Sequence, residues 1–131
     1  MLPSVPNHLP QSPLYQKAIE IFTLSRRISH YYVDDLNQLQ QNGAENPNIY
    51  FTGDIVQQSV SLAPEILKAE NHSHTKDKHK YAASITRLTN RLYKNCERLE
   101  RTHSNGRDFL PILRAELKKF RKLQRSWMLS L

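Results

Sequence analysis

The stretch KHKYAASITRLTNRLYKNCERLERTH, from Lys78 to His103, carries an apolar seam at Tyr81, Ile85, Leu88, Leu92, Cys96 and Leu99. Those steps of three and four residues match the period of an α-helix and not the two-residue alternation of a strand. The rest of the chain repeats the pattern. It has only 3 glycines in 131 residues, so little of it is built for tight β-turns. The spacing predicts an all-α fold. The length is that of one domain, able to bury roughly 65–70% of its extended surface. With 24% charged and 38% hydrophobic residues, the composition is that of a globular chain and not a disordered one.

Residues 1–12 form a Pro-rich N-terminal extension, with Pro3, Pro6 and Pro10. A four-helix unit is expected over 13–131. Ser12-Pro13 is a helix start with Ser at the N-cap and Pro at the first helical position. Leu14, Ala18, Ile21, Ser25, Ile28, Tyr32, Leu36 and Leu39 then share one stripe, which predicts a first helix over roughly 13–39. QQNGAENPN reads as a loop. The second helix is expected to start near Thr52, capped by Thr52 or Asp54, with Ile55, Val56, Ser59, Val60, Leu62, Ala63, Ile66 and Leu67 inward. Pro64 should kink or divide it, because proline lacks the N–H and crowds the preceding turn. NHSHTKDKH is a polar connection. The third helix follows over roughly 76–102, and HSNGRD breaks the chain with Asn105-Gly106 as the turn and Asp108 as a cap. A fourth helix runs to nearly the last residue, with Pro111 in its first turn and Leu113, Leu117, Phe120, Leu123, Trp127 and Leu131 inward. Short connections between amphipathic helices suggest an up-down-up-down four-helix bundle.

Charge is unevenly divided. Residues 75–131 hold fifteen Lys and Arg against five Asp and Glu, whereas residues 1–74 hold four against seven. Such polarity points to a polyanionic partner, nucleic acid first and an anionic membrane surface second. At about 100° per residue, Lys80, Arg87, Arg91, Lys94, Arg98 and Arg101 fall between about 200° and 280° from Tyr81, on one stripe beside the core. On the fourth helix Arg114, Lys118, Lys119, Arg121, Lys122 and Arg125 occupy the side away from Phe120 and Trp127, with Glu116 the only acid among them. Like charges at this spacing repel by a few tenths of a kcal/mol per pair, a cost that a polyphosphate would offset. Rows of this kind suit phosphate-directed binding with weak sequence preference. No zinc finger, RNP pattern, GXXG loop or helix-turn-helix spacing is present.

Several segments carry a family resemblance. KYAASITRLTNRLYKNCERL (80–99) resembles the third helix of the accessory variability determinant (Avd) proteins of diversity-generating retroelements, with its Tyr-Ala-Ala start and Arg-bearing continuation. KLQRSWMLSL (122–131) is similar to their C-terminal helix, with Ser-Trp before apolar residues, and APEILKAENHSHTKDKHKYAA to the passage between their second and third helices. YQKAIEIFTLSRRI and IVQQSVSLAPEILKAE resemble the related four-helix proteins encoded in intervening sequences of large-subunit ribosomal RNA genes. The resemblance spans about residues 14–131. It implies a homopentameric barrel of four-helix protomers that binds the element's reverse transcriptase and nucleic acid and supports mutagenic retrohoming. Arg91 matches the family's Arg on the third helix. The Pro-rich start and the NQLQQNGAENPN loop depart from the pattern. So does the second helix, whose single cation is Lys68.

Other chemistry is sparse. His72, His74 and His79 are spaced H-x-H-x4-H, but no Cys and only Asp77 accompany them, so a polar loop is favoured over a metal site. His30 reads as a surface or boundary residue, and Asp34-Asp35 as solvated surface at a helix end. Cys96 sits on the seam, where a buried inert thiol is expected. No nucleophile–base order, phosphate loop or HExxH helix occurs, so no enzyme activity and no cofactor are expected. The lone cysteine fits a reducing compartment. The first residues do not resemble a signal peptide, and no apolar run approaches the roughly 18 residues that span a membrane, which together suggest the cytoplasm. Three alternatives to the retroelement reading stay open: a ribosomal-RNA-intervening-sequence type of bundle, a scaffold for an acidic protein, and a peripheral protein of an anionic membrane surface.

Overall fold

The computed structural model describes residues 12–36, 43, 49–71, 75–102 and 105–131. These are helical almost throughout, with no strand among them: α1 (Pro13–Leu36), α2 (Ile49–Val60), α3 (Leu62–Asn71), α4 (Thr75–Leu99) and α5 (Leu110–Leu129), with a 3-10 turn at Asn105–Phe109. α2 and α3 are two pieces of one divided helix, so the described residues form four helical segments. No helix among the described residues is long and apolar enough to cross a membrane.

The start of α1 follows from its first two residues. The Tyr15 N–H donates to Ser12 Oγ at 3.2 Å and the Gln16 N–H to the Ser12 carbonyl at 3.0 Å. Pro13 lacks an N–H that would have had no partner in a first turn anyway. The predicted stripe is buried from Leu14 to Tyr32. The helix is described as far as Leu36, and residues 37–39 of the expected range lie outside the described residues. The QQNGAENPN loop does too, apart from Gly43, whose φ of 82° is the left-handed conformation that glycine adopts at little cost.

Two expected caps are not caps. α2 begins at Ile49, so Thr52 lies inside the helix and is buried. Asp54, later still, is exposed. Phe51 packs against the core and extends the apolar surface upstream of the expected start. Asp108 does not cap the last helix either. It falls inside the 3-10 turn, and the N-cap position belongs to Phe109, which makes no side-chain cap bond. Phe109 stacks on Tyr31, with ring centroids 5.3 Å apart, and Leu110 is fully buried. Apolar docking onto α1 thus takes precedence over a polar cap. Pro111 stands in the first turn of α5, as its chemistry requires.

Pro64 divides the second helix three residues upstream of itself. Its ring crowds the carbonyl of Val60, and no N–H is available to bond it. Ser61 therefore falls outside regular helix, and the junction is bridged by Ser61 N–H to the Gln57 carbonyl at 3.3 Å and Glu65 N–H to the Ser61 carbonyl at 3.4 Å. Val60 and Leu67, expected inward, are exposed, because the buried stripe Ile55, Ser59, Leu62, Ile66 and Ala69 steps by three and four straight through the junction and leaves both to one side.

α1 packs against α2, α3 and α5, and α4 packs against α2, α3 and α5. Their shared core includes Ile21, Tyr32, Ile66, Leu92, Leu117 and Phe120. Polar bonds lock the helices to each other. Tyr32 Oη donates to the Leu99 carbonyl at 2.9 Å, Trp127 Nε1 to Glu70 Oε2 at 2.9 Å and Asn95 Nδ2 to Gln58 Oε1 at 3.1 Å. α4 ends at Leu99, not near 102: the Arg101 and Thr102 N–H groups close a tighter turn onto the Arg98 and Leu99 carbonyls. One group in the core is poorly served. Ser25 is fully buried and its hydroxyl has no hydrogen-bond partner among the described residues.

Leaving a buried hydroxyl unsatisfied costs about 1–3 kcal/mol. Ser25→Ala should therefore raise the urea or thermal midpoint by an amount worth about 1 kcal/mol, whereas Phe120→Ala should lower stability by about 3–5 kcal/mol. A destabilised Ser25→Ala protein would mean that the hydroxyl has a partner after all.

Candidate nucleic-acid interface

Burial on α4 is wider than the seam suggested. Ala82 and Thr89 are buried along with Ile85, Leu92, Cys96 and Leu99. They move the middle of the buried arc to about 50° from Tyr81, at about 100° per residue. The cationic stripe at about 200–280° is therefore not beside the core but opposite it. Lys80, Arg87, Arg91, Lys94, Arg98 and Arg101 are all exposed. Arg101 extends the row just past the end of the helix.

On α5 the six cations do not act as one set. Arg114 Nε lies 2.6 Å from Glu100 Oε1, an ion pair that joins α5 to α4. Lys119 turns to the other edge, where its Nζ is 3.5 Å from Glu116 Oε1. Glu116 also bonds Lys17 Nζ at 2.9 Å, fastening α5 to α1. Lys17 holds the Glu116 carboxyl below its ordinary value of 4.5, so this pair stabilises the fold above about pH 4.5 and stops doing so as pH falls through the lowered value. Arg121 donates to Asn90 Oδ1 at 3.0 Å and lies over the Tyr93 ring at 4.8 Å. Lys118, Lys122 and Arg125 remain exposed.

The cations of α4 and α5 thus divide by use. Arg114, Lys119 and Arg121 hold neighbouring groups, and Arg98 lies 4.1 Å over the Phe51 ring, tying α4 to α2. Lys80, Arg87, Arg91 and Lys94 on α4 and Arg101 just past its end, with Lys118, Lys122 and Arg125 on α5, make no ion pair among the described residues. α4 and α5 pack directly on each other, and these unpaired cations form one row on each helix. At about 100° per residue, exposed Asn90 and Glu97 of α4 stand between the two rows. Mutual repulsion along each row is not relieved by carboxylates within it.

The seam between the rows is polar, which the pattern of apolar residues did not suggest. Gln124, 5% exposed, donates from Nε2 to Thr86 Oγ1 at 2.9 Å and to the Ala82 carbonyl at 3.4 Å. Thr89 is buried and bonds the Ile85 carbonyl at 2.8 Å. Spacing alone does carry a signal for Gln124: it lies four residues after Phe120 and three before Trp127, on the inward stripe of α5.

A separate cleft of about 660 Å³ runs along α1, lined by Arg26, Arg27, His30, Tyr31 and Val56 among others. Its two arginines are not part of the α4–α5 face. Cys96 is buried, and burial pushes its thiol up to about 12, so it is not a nucleophile at neutral pH. His79 is exposed on α4, while His72 and His74 lie outside the described residues. Among the described residues no three His, Cys, Asp or Glu side chains gather as metal ligands. The side chains of Asp34 and Asp35 also lie outside the described set. Comparison with family models, curated proteins and solved structures gives no match to the chain.

The division of cations is open to test. Arg114→Ala removes a half-buried ion pair, worth at least the roughly 0.2–1 kcal/mol of an exposed one, and should lower the thermal midpoint, whereas Arg91→Ala should leave it unchanged or slightly raised. Equal losses in the two variants would mean that Arg91 is also engaged in holding the fold.

Proposed function

We propose that this chain is a nucleic-acid-binding, oligomeric accessory protein that serves the reverse transcriptase of a diversity-generating retroelement. In this reading the four helical segments form an up-down-up-down bundle, and the bundles assemble, as a homopentamer by family resemblance, with the α4–α5 faces available to RNA or DNA. The protein works in the cytoplasm beside the polymerase and carries no catalytic group or cofactor of its own. The observation that supports binding most directly is the row of exposed cations on α4, with a second row on α5, that make no ion pair among the described residues. The link to a retroelement rests on the Tyr-Ala-Ala and Ser-Trp segments and on the similar passage between the second and third helices.

Phosphate binding of this kind is driven by release of condensed counterions. The cations first in contact are Arg87, Arg91, Lys94 and Arg101, with Lys80, Lys118, Lys122 and Arg125 at the margins. Arg98, Arg114, Lys119 and Arg121 contribute field while holding structure. If six to ten phosphates are engaged, affinity for RNA or DNA should fall about 10³–10⁵-fold between 50 and 200 mM salt. The triple variant Arg87→Glu, Arg91→Glu, Lys94→Glu should bind about tenfold or more weakly and show a smaller salt slope, by about one per lost phosphate contact. Its helicity should be unchanged, because none of the three holds another helix. Wild-type affinity in that variant, or a flat salt response, refutes the reading. Co-purification of an acidic protein that survives nuclease treatment favours the scaffold alternative.

A further inference from the structure

Midway along the α4–α5 seam is a cleft of about 280 Å³, lined by Thr86, Thr89, Asn90, Arg121, Gln124, Arg125 and Met128. Its polar groups are held in defined orientations. The Ala82 carbonyl can only accept, so the Gln124 amide must turn its Nε2 toward it. The Thr86 hydroxyl gives its own proton to the same carbonyl at 3.2 Å and accepts from Gln124. Gln124 Oε1 is then left as an acceptor with no partner among the described residues. The same reasoning fixes Asn90. A guanidinium only donates, so Oδ1 faces Arg121, and Asn90 Nδ2 remains as a donor with no partner there. Arg121 is braced between Asn90 and the Tyr93 ring, which keeps its guanidinium plane in place.

We infer that this cleft receives one unstacked nucleobase of a single-stranded RNA or DNA. The inference rests on the nucleic-acid reading above and extends it from backbone to base. A base needs a flat cationic or aromatic platform, an apolar wall, and donors and acceptors at its edge. Arg121 supplies the platform, since a guanidinium plane stacks on bases as an aromatic ring does. Met128, 38% exposed, supplies a soft wall. Asn90 Nδ2 and Gln124 Oε1 supply one donor and one acceptor. Arg125 at the rim, with Lys122 and Lys118 beyond it on α5, takes the phosphates on either side. The core aromatics are not needed for stacking, and Tyr93 acts only by bracing Arg121. A strand laid along the α4–α5 face thus gains one anchored base among contacts that are otherwise to phosphate.

The test compares single-stranded oligonucleotides of one length, with bases and with abasic residues throughout, at fixed salt. The wild-type protein should bind the base-bearing strand about 5- to 150-fold more tightly, which is one stacked base at about 1–3 kcal/mol. Arg121→Lys keeps the charge but removes the plane, and Asn90→Ala removes the exposed donor without touching the core. Each should shrink that preference toward one while affinity for the abasic strand stays within about twofold. Circular dichroism and thermal midpoints establish that both variants fold. Equal wild-type affinity for the two strands overturns the base cleft and leaves backbone binding intact. A preference that survives in both variants places the base elsewhere and also overturns it. No binding to either strand overturns the nucleic-acid reading and the cleft with it.

Discussion

Burial of the apolar sides of α4 and α5 is the constraint on which the rest depends. Leu92, Cys96 and Leu99 on one helix and Leu113, Leu117 and Phe120 on the other are removed from water together. A helix is a rigid cylinder at this scale, so fixing one side fixes the other. The cations of α4 are carried to the side opposite the core. Those of α5 are spread from the seam to the outer surface. Neither row was free to disperse once the core formed.

The core does not explain why the outer rows form no ion pair among the described residues. Elsewhere the chain places carboxylates beside cations and uses the pairs to hold helices together: Lys17 with Glu116, and Arg114 with Glu100. Along the outer face of α4 exposed Glu97 is three residues after Lys94 and four before Arg101, yet no ion pair forms there among the described residues. Pairing would have relieved repulsion at the few tenths of a kcal/mol typical of each neighbour. The contrast within one molecule separates cations that brace the fold from cations that no carboxylate engages among the described residues, and charge counting alone cannot make that separation. The same contrast marks the seam. Gln124 and Asn90 satisfy one end of each amide inside the protein and leave the other end open.

Most of the helical plan was legible in the sequence because it rests on short-range rules. Ser12 and Pro13 start α1 as cap chemistry dictates, and Pro64 divides the second helix where its missing N–H requires. The stripes of α1, α4 and α5 supplied the core. What spacing could not supply were effects of tertiary packing. Thr52 has a cap's chemistry but is swallowed by a helix that Phe51 extends. Asp108 yields to the docking of Phe109 and Leu110. Val60 and Leu67 lie to one side of a buried stripe narrower than the apolar pattern. At the candidate site, exposure of the α4 row follows from periodicity, but its place opposite the core became clear only once Ala82 and Thr89 proved buried. Which cations are engaged depends on rotamers and on the neighbouring helix, and that information is not local.

The central claim is that the unpaired cations of α4 and α5, and not basic charge in general, form the surface that meets a polyanion. An amine-reactive footprint read by mass spectrometry tests this directly, with the native protein labelled in the presence and absence of a single-stranded oligonucleotide. Lys80, Lys94, Lys118 and Lys122 should lose reactivity when the strand is bound, while exposed Lys68 on α3 should label equally in both states. Protection of Lys68, or unchanged labelling of Lys94, Lys118 and Lys122 with the strand bound, would contradict the account.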